Sequence, residues 1–484
     1  MTIVYLSTHV DFFAMLLDGR YFAPFMISAE QVVLLVFIVS FALILSEKLH
    51  RTIAAWIGCV AILFVGKITN VFELTSGHSL EEEMLYWIDF HVVGLLMGMM
   101  VLAAVLEFCG FFEYVAIKAT KLSKGDPWML IVYLGTFTTI ISLFIDNVTA
   151  IIIIAPVTLR MCQKLEINPI PPLVGVSIFS NTGGVASMVG DPPNVMIAAN
   201  AADLGLKGFD FNGFFIHLGL VTLVAWMATL GYMRWHYRDW RGKKPEYIEH
   251  ILEENEWDGV DDPRMMKLTL AVLGLTVVAF SASGAFSDAF GFEIGIHAIS
   301  LSGAGLILVL ARPHEEELRE GFLNDIIDKV EWQALLFFAG LFILVGAIEH
   351  VGYLTMVAEF VYNISGGNEL ALAVTIIWVS AGASALIDNI PFTAAMIPVI
   401  AGIGLQYGVN TIPLYWALAM GAGFGGNATP IGSSANVMTV AISERGSHPI
   451  TTKEWTKVGV PVMIITCTVA TIFMILFHGM IYST

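Results

Sequence analysis

The tripeptide Ile-Asp-Asn occurs twice, at Ile145-Asp146-Asn147 and Ile387-Asp388-Asn389, each time inside strongly apolar sequence and 242 positions apart. The same offset, without a gap, pairs Glu107 with Glu349, Gly110 with Gly352, Pro156 with Pro398, and Asn194-Val195-Met196 with Asn436-Val437-Met438. It also lays Gly183-Gly184 on Gly425-Gly426 and Gly190 on Gly432. A duplicated apolar chain with an ionisable group at the heart of each copy has few ways to fold. Carboxylates are costly inside a membrane, and duplicated membrane halves usually carry a substrate between them.

Hydrophobic residues make up 57% of the chain and charged residues 13%, where a soluble protein would carry roughly a quarter charged. The apolar residues come in runs of about 17 to 22, enough to cross a hydrocarbon core of roughly 30 Å as helices. The alternation that a transmembrane β-barrel needs is not seen. An all-α polytopic membrane protein is expected, with the lipid bilayer as its surroundings. The formal net charge of −18 argues against nucleic-acid partners, and Glu81-Glu82-Glu83 and the stretch from Glu253 to Asp262 read as solvated loops. Cys59, Cys109, Cys162 and Cys467 fall in or beside apolar segments, with no metal-type spacing and no disulfide framework. No cleavable signal peptide is expected, because the first apolar run would itself direct insertion.

Apolar runs between breakers place spans near 30–47, 52–68, 90–108, 172–200, 212–234, 265–284, 292–311, 332–350, 413–443 and 457–481. Two longer stretches, 127–165 and 369–407, are broken in the middle by the Asp-Asn pairs. Each break could join two full spans or form the tip of a re-entrant hairpin. The strongly apolar neighbours of Asp146 and Asp388 favour the hairpin. Each half then has five crossings, and an odd number turns the second half upside down relative to the first.

Lysine and arginine placement tests that topology. With the N-terminus outside, the inner face receives Lys48 and Arg51, Lys118 to Lys124, Arg160 and Lys164, Arg234 to Lys244, Arg312, Arg319, Lys329, Arg445 and Lys453. The outer face receives Arg20, Lys207 and little else, a clean positive-inside bias that full spans in place of hairpins would spoil. The expected organisation is an extracytoplasmic segment over 1–29, a first inverted repeat over 30–234, a cytoplasmic linker over 235–263 and a second inverted repeat over 264–484. Both termini would lie outside the cytoplasmic membrane. Segments near 111–124 and 314–331 mix charged and apolar residues, as interfacial helices do.

The stretch from Ser180 to Asn194 and its counterpart from Gly423 to Asn436 gather glycine pairs, prolines and small hydroxylic residues in mid-membrane. Such sequence makes a poor continuous helix and is tolerated where unwound backbone lines a cavity. Close helix packing is the plainer reading of Gly183, Gly184, Gly190, Gly425, Gly426 and Gly432. Their recurrence at one distance from an Asp-Asn tip favours two discontinuous helices and two tips meeting at one site.

A carboxylate at the membrane centre costs on the order of 2.5–3.5 kcal/mol. Burial raises a carboxyl pKa and a bound cation lowers it, so such a group can exchange a proton for a cation. Asp146 and Asp388 could instead cap hairpin half-helices, and the two roles can coexist. Asp191 has Ser433 at its place in the second half and is the best candidate for a functional asymmetry. Glu107 and Glu349 read as interfacial anchors, His217 and His297 as structural.

The two Asp-Asn tips, each followed by Pro156 or Pro398, together with Gly183 to Asn194 and Gly425 to Asn436, resemble the ion transporter superfamily over nearly the whole chain. The most similar members are permeases of the arsenite-efflux, sodium/proton antiporter and P-protein group, and Gly190-Asp-Pro-Pro-Asn194 most resembles the P-protein branch. The resemblance implies a homodimer built through a scaffold domain and an elevator-like motion of the site-bearing domain. Related sodium-coupled dicarboxylate transporters carry Ser-Asn-Thr at the tips. Here those positions read Asp146-Asn147-Val148 and Asp388-Asn389-Ile390, and fixed negative charge would repel a dianion.

The expected function is an ion-coupled secondary transporter exchanging protons for a small inorganic cation, sodium above all. Asp146, Asp388 and Asp191 would carry the exchange. Asn147, Asn389, Thr149, Asn194, Asn427, Thr429, Ser433 and Asn436 would supply neutral oxygens, and a bound sodium ion would sit at Asp146, Asn147, Asp388 and Asn389. No other cofactor is expected. Proton-coupled arsenite or antimonite efflux is the runner-up, and an anion permease the third reading. No His-Glu-x-x-His or Gly-x-Ser-x-Gly occurs, so an enzyme is not expected.

Overall fold

A computed structural model describes residues 21–22, 27–46, 48–72, 78–124, 126–240, 255–291, 294–312, 316–446 and 448–482. Most of the expected segment 1–29 with Arg20, and the middle of the expected linker with Lys243 and Lys244, lie outside the described residues. Apart from a two-residue pairing of β1 (Tyr21–Phe22) with β2 (Ile27–Ser28), regular structure among the described residues is helical.

In chain order the helices begin with α1 (Ala29–Ser46), α2 (Arg51–Thr69), α3 (Leu80–Tyr86), α4 (Phe90–Phe108), α5 (Phe111–Ser123), α6 (Pro127–Ser142) and α7 (Asn147–Lys164). They continue with α8 (Ile170–Gly184), α9 (Pro192–Asp203), α10 (Phe211–His236), α11 (Pro263–Phe290), α12 (Ile296–Leu310), α13 (Glu316–Lys329) and α14 (Trp332–His350). The last are α15 (Tyr353–Ile364), α16 (Glu369–Ser384), α17 (Asn389–Tyr407), α18 (Ile412–Gly425), α19 (Ser434–Ser443) and α20 (Thr452–Phe477). Among the described residues α2, α4, α10, α11, α14, α17 and α20 are each long and apolar enough to cross a membrane. The protein is an all-helical, multi-pass membrane protein.

The offset of 242 recurs in the helix boundaries. It maps α4 onto α14 and α6 onto α16 at both ends, and α5, α7, α8, α9 and α10 start at, or one residue from, the mapped starts of α15, α17, α18, α19 and α20. Local chemistry explains part of this. Asp126 caps α6 by accepting from Trp128 N at 2.9 Å, and the mapped residue Asn368 caps α16 by accepting from Ala371 N at 2.9 Å. Each cap satisfies a backbone N–H that has no partner within its helix.

The chain divides into two compact units. The first contains α1 to α3, α14, α15 and the end of α17 from Pro398. In it α2 and α14 run parallel in close contact. Thr52 Oγ1 donates to Gln333 O at 2.8 Å, Trp56 Nε1 to Leu336 O at 3.0 Å, and Cys59 Sγ to Gly340 O at 3.3 Å. Small residues allow the approach: a Cβ on Gly340 would lie 3.1 Å from Ala55 Cβ. Where apolar burial cannot drive association, close packing and polar groups bonded across helices hold membrane helices together.

The second unit holds the remaining helices and every residue of the site described below. In it α4 packs on α12 through Gly94 and Gly98, and His91 stacks on His297 with ring centroids 4.4 Å apart. Glu107 at the end of α4 accepts from Lys329 Nζ at 2.6 Å. A strap over Glu256–Gly259 lies on α5, where Lys121 Nζ donates to Glu256 at 2.8 Å and Trp257 packs on Tyr114. Gly110 has φ +79° and faces the Gly259 carbonyl so closely that a Cβ would collide with it. Glycine is required there on both counts.

Two outcomes follow from these contacts. A Cβ on Gly98 would lie 2.6 Å from the Ser300 carbonyl carbon, so Gly98→Ala should separate α4 from α12 and destabilise by about 1–3 kcal/mol. A lower melting temperature of the detergent-solubilised protein checks this; an unchanged one would contradict it. The hydrogen bond from Lys121 holds the Glu256 carboxyl below its ordinary value of 4.5. That contribution is present above the unfolded value and disappears as pH falls through the folded one. Lys121→Met should therefore loosen the strap at neutral pH and make no difference in strong acid, measured by proteolysis rates across a pH series.

Candidate functional site

Two broken helices form the frame. Helix α8 ends at Gly183-Gly184, and the chain turns through Val185 to Asp191 before α9 starts at Pro192. Helix α18 ends at Gly425, passes a short 3-10 turn over Gly426–Ala428, and α19 starts at Ser434. Both turns fold back tightly on themselves. A Cβ on Gly184 would lie 2.5 Å from Gly190 O, and one on Gly426 would lie 2.8 Å from Gly432 O.

Matched asparagines hold the turns. Asn194 Nδ2 donates to Gly184 O at 3.3 Å, Val185 O at 3.2 Å and Ser187 O at 2.9 Å. Asn436 Nδ2 donates to Gly426 O at 2.7 Å and Thr429 O at 2.8 Å, the residues that the repeat maps onto Gly184 and Ser187. Ser142 Oγ donates to Ser180 O at 3.0 Å, and its mate Ser384 Oγ to Ala422 O at 2.9 Å. These bonds satisfy carbonyls that unwinding would otherwise leave unpaired and buried.

At the centre is the carboxylate of Asp191, only 1% exposed. Its Oδ1 accepts from Asn147 Nδ2 at 3.3 Å and from Asn389 Nδ2 at 3.2 Å, and its Oδ2 accepts from Asn389 Nδ2 at 3.1 Å. One carboxylate thus joins the two Asp-Asn tips. Asp191 occupies the N-cap position of α9 but makes no side-chain cap bond. Pro192 and Pro193 follow it and offer no N–H, which leaves the carboxylate free to turn to the tips. Ser433, its mate at the start of α19, also makes no side-chain cap bond and donates to Asn181 Oδ1 at 3.2 Å.

Asn181 connects the rest. Its Oδ1 also accepts from Asn147 Nδ2 at 3.1 Å, and its Nδ2 donates to Asn436 Oδ1 at 2.8 Å and Asn427 Oδ1 at 3.3 Å. Asn147 is 1% exposed, and its Oδ1 is a buried acceptor with no hydrogen-bond partner. The starts of α7, α9, α17 and α19 all lie at this cluster, and the positive ends of their dipoles favour negative charge at Asp191.

The sequence candidates therefore separate. Asn147, Asp191, Asn389, Asn427, Ser433 and Asn436 come together in one network. Asp146 caps α7: its Oδ1 accepts from Thr149 N at 3.0 Å and its Oδ2 from Thr149 Oγ1 at 2.6 Å. Asp388 accepts from Ile390 N at 3.0 Å and from the Ser434 hydroxyl. Asn194 serves the turn, and Thr429 Oγ1 donates to Ala385 O at 2.6 Å. His217 stacks on Trp416 at 4.5 Å, away from the network. Among the described residues no three His, Cys, Asp or Glu side chains are grouped to hold a metal ion.

Sequence reasoning missed Asn181, Ser177, Thr182 and Ser434. Ser177 donates to Asn436 Oδ1 at 2.8 Å, and Asn427 Nδ2 donates to Thr182 Oγ1 at 3.3 Å. The repeat maps Asn181 onto Gly423 and Ser434 onto Pro192, so a search for residues shared by the halves passes over both. The available signal was a polar side chain inside an otherwise apolar helix.

Residues 41–421 match the family model described as citrate transporter, CitMHS. The 46 kDa membrane protein of Mycobacterium leprae is 35% identical over 91% of this chain and 96% of its own length. The P protein of Mus musculus is 33% identical over 90% of this chain, which spans 59% of that longer relative. Among solved structures, the YdaH transporter of Alcanivorax borkumensis aligns with a TM-score of 0.56 at 13% identity, over 90% of this chain and 99% of the other. MtrF of Neisseria gonorrhoeae aligns with a TM-score of 0.51 at 13% identity, over 88% and 95%. At that identity the likeness is one of fold.

Asn436→Ala would leave the carbonyls of Gly426 and Thr429 buried without their donor, a loss of about 1–3 kcal/mol for each group. A fall in melting temperature, matched in kind by Asn194→Ala, is the expected result. A variant as stable as the wild type would show that the turns hold without their asparagines.

Proposed function

This chain belongs to the citrate transporter family, and from that premise we propose that it exchanges protons for a small inorganic cation, sodium above all. The protein is a secondary transporter and not an enzyme. The observations that carry the cation reading are the buried Asp191 carboxylate, met by the Nδ2 of Asn147, and the buried, unpartnered Oδ1 of the same amide. With that amide turned over, a hard cation at Asp191 would gain both charge and a neutral oxygen, the ligand set that small hard cations prefer. A cation and a proton compete for one carboxylate, which is the minimal chemistry of antiport.

None of the side chains hydrogen-bonded in the network is Lys or Arg. A citrate-like anion would meet Asp191 without a countercharge, so an inorganic cation suits the site better than a carboxylate. Arsenite, neutral as its trihydroxide, could use the same amides and is the second reading.

The inverted-repeat plan belongs to the same proposal. Helix α14 is the repeat mate of α4 and runs parallel to α2, with Thr52, Trp56 and Cys59 bonded in order to Gln333, Leu336 and Gly340. An odd number of crossings in each half, as the apolar runs count them, would turn the second half upside down relative to the first. On this reading residues 30–234 and 264–484 are the inverted halves, the second unit is the body that moves in an elevator-like cycle, and the protein is a homodimer of the cytoplasmic membrane.

Proteoliposomes loaded with a pH-sensitive dye and given sodium, lithium, arsenite or chloride in turn test the exchange. Sodium or lithium should move protons in the wild type, and Asp191→Asn should abolish the signal while the variant still elutes as a folded protein. Proton movement with arsenite or chloride alone would overturn the cation reading.

A further inference from the structure

We propose that the two aspartate tips do different work: Asp388, with Ser434, is the loading station through which the cation reaches Asp191, whereas Asp146 is a fixed helix cap. This rests on the cation-exchange reading above. The repeat makes Asp146 and Asp388 equivalent in sequence, yet their surroundings are exchanged in a reciprocal way. Thr149, which supplies both its N–H and its hydroxyl to Asp146, maps onto Pro391, which has neither. Pro192 maps in turn onto Ser434, whose hydroxyl donates to Asp388. The first half ties its aspartate to its own helix. The second half ties its aspartate to its own helix by Ile390 N alone and gives the other oxygen to the start of the neighbouring discontinuous helix, beside Ser433.

The rest of each tip follows the same division. Asn147 N donates to Gly190 O at 3.1 Å, a backbone bond that pins the first tip to the turn beside Asp191. Among the described residues the second tip shows no matching bond from Asn389 N to Gly432 O. Asp146 is 1% exposed where its mate Asp388 is half-buried, and Phe144 is half-buried where its mate Leu386 is 70% exposed. Both tips reach Asp191 through their asparagines, and the second is the one that also presents its carboxylate to its surroundings.

The cycle this implies is simple. A cation arriving at Asp388 is met by the carboxylate and by the Ser434 hydroxyl oxygen, whose proton turns away. It passes to Asp191, where the Asn147 amide turns over to offer its Oδ1, and the proton that Asp191 releases leaves by the same tip. Charge balances, because one cation enters as one proton departs. Asp146 takes no part, since it is 1% exposed and Thr149 of its own helix holds both its oxygens.

Two measurements separate this from the exchange reading itself. In lipid nanodiscs, a membrane-impermeant maleimide should label Leu386→Cys severalfold faster than Phe144→Cys, above the background of the four buried native cysteines. No transported ion is needed for that contrast, and equal labelling would overturn the proposal even if the wild type exchanges protons for sodium. In proteoliposomes, Asp388→Asn and Ser434→Ala should raise the KM for sodium, the former by about tenfold or more. Asp146→Asn should leave KM and coupling close to wild type, because asparagine is itself a good N-cap. Thr149→Val should lower the melting temperature without changing KM. A rise in KM for Asp146→Asn equal to that for Asp388→Asn would also overturn the proposal. If the wild type moves no cation against protons, the exchange reading falls, and the labelling contrast still decides which tip is open.

Discussion

The bonds from Asn147 and Asn389 to the single carboxylate of Asp191 are the constraint to which the second unit is built. A buried carboxylate without partners would be lost to desolvation, so its donors must be held in place by the fold. Each donor stands at the first residue of a helix that follows a tip, and each tip must reach the centre of the unit. That requires two helices to stop short, at Gly184 and Gly425, and their turns to be sealed by Asn194 and Asn436. The glycines, prolines and asparagines of the broken segments are consequences of bringing one charge and two tips together.

Duplication supplies the frame, and departures from it supply the chemistry. The caps at Asp126 and Asn368, the serine bonds of Ser142 and Ser384, and the asparagine bonds at the turns recur in both halves. At the centre the asparagine donors Asn147 and Asn389 recur, but other positions do not. Asp191 stands opposite Ser433, and Asn181 opposite Gly423. Asn181 touches Asn427, whereas the repeat-related pair of Val185 and Gly423 makes an apolar contact instead. The centre is therefore not symmetric, and its carboxylate comes from the first half alone.

Much of this was legible before any coordinates. The fixed offset and the apolar runs led to the helical membrane fold, because membrane helices must satisfy their own backbone and announce themselves by length. The Asp-Asn tips and the glycine stretches marked where the chain breaks. Which polar residue would sit at the centre was not legible in that way. Sequence reasoning put Asp146 and Asp388 first because they are repeated, while the geometry gives the bonds between the tips to Asp191, which is not. Whether an aspartate caps its own helix or turns away depends on the N–H groups just after it, and a proline at one or two positions changes that outcome. Asn181 escaped notice because its partner in the repeat is a glycine.

The most direct test of a cation-for-proton exchange at Asp191 is the number of protons released when the purified protein binds a cation in weakly buffered detergent solution. Sodium or lithium binding to the wild type should release about one proton for each ion bound when Asp191 starts protonated, and Asp191→Asn should release none. Cation binding without proton release, or undiminished release in the variant, would contradict it.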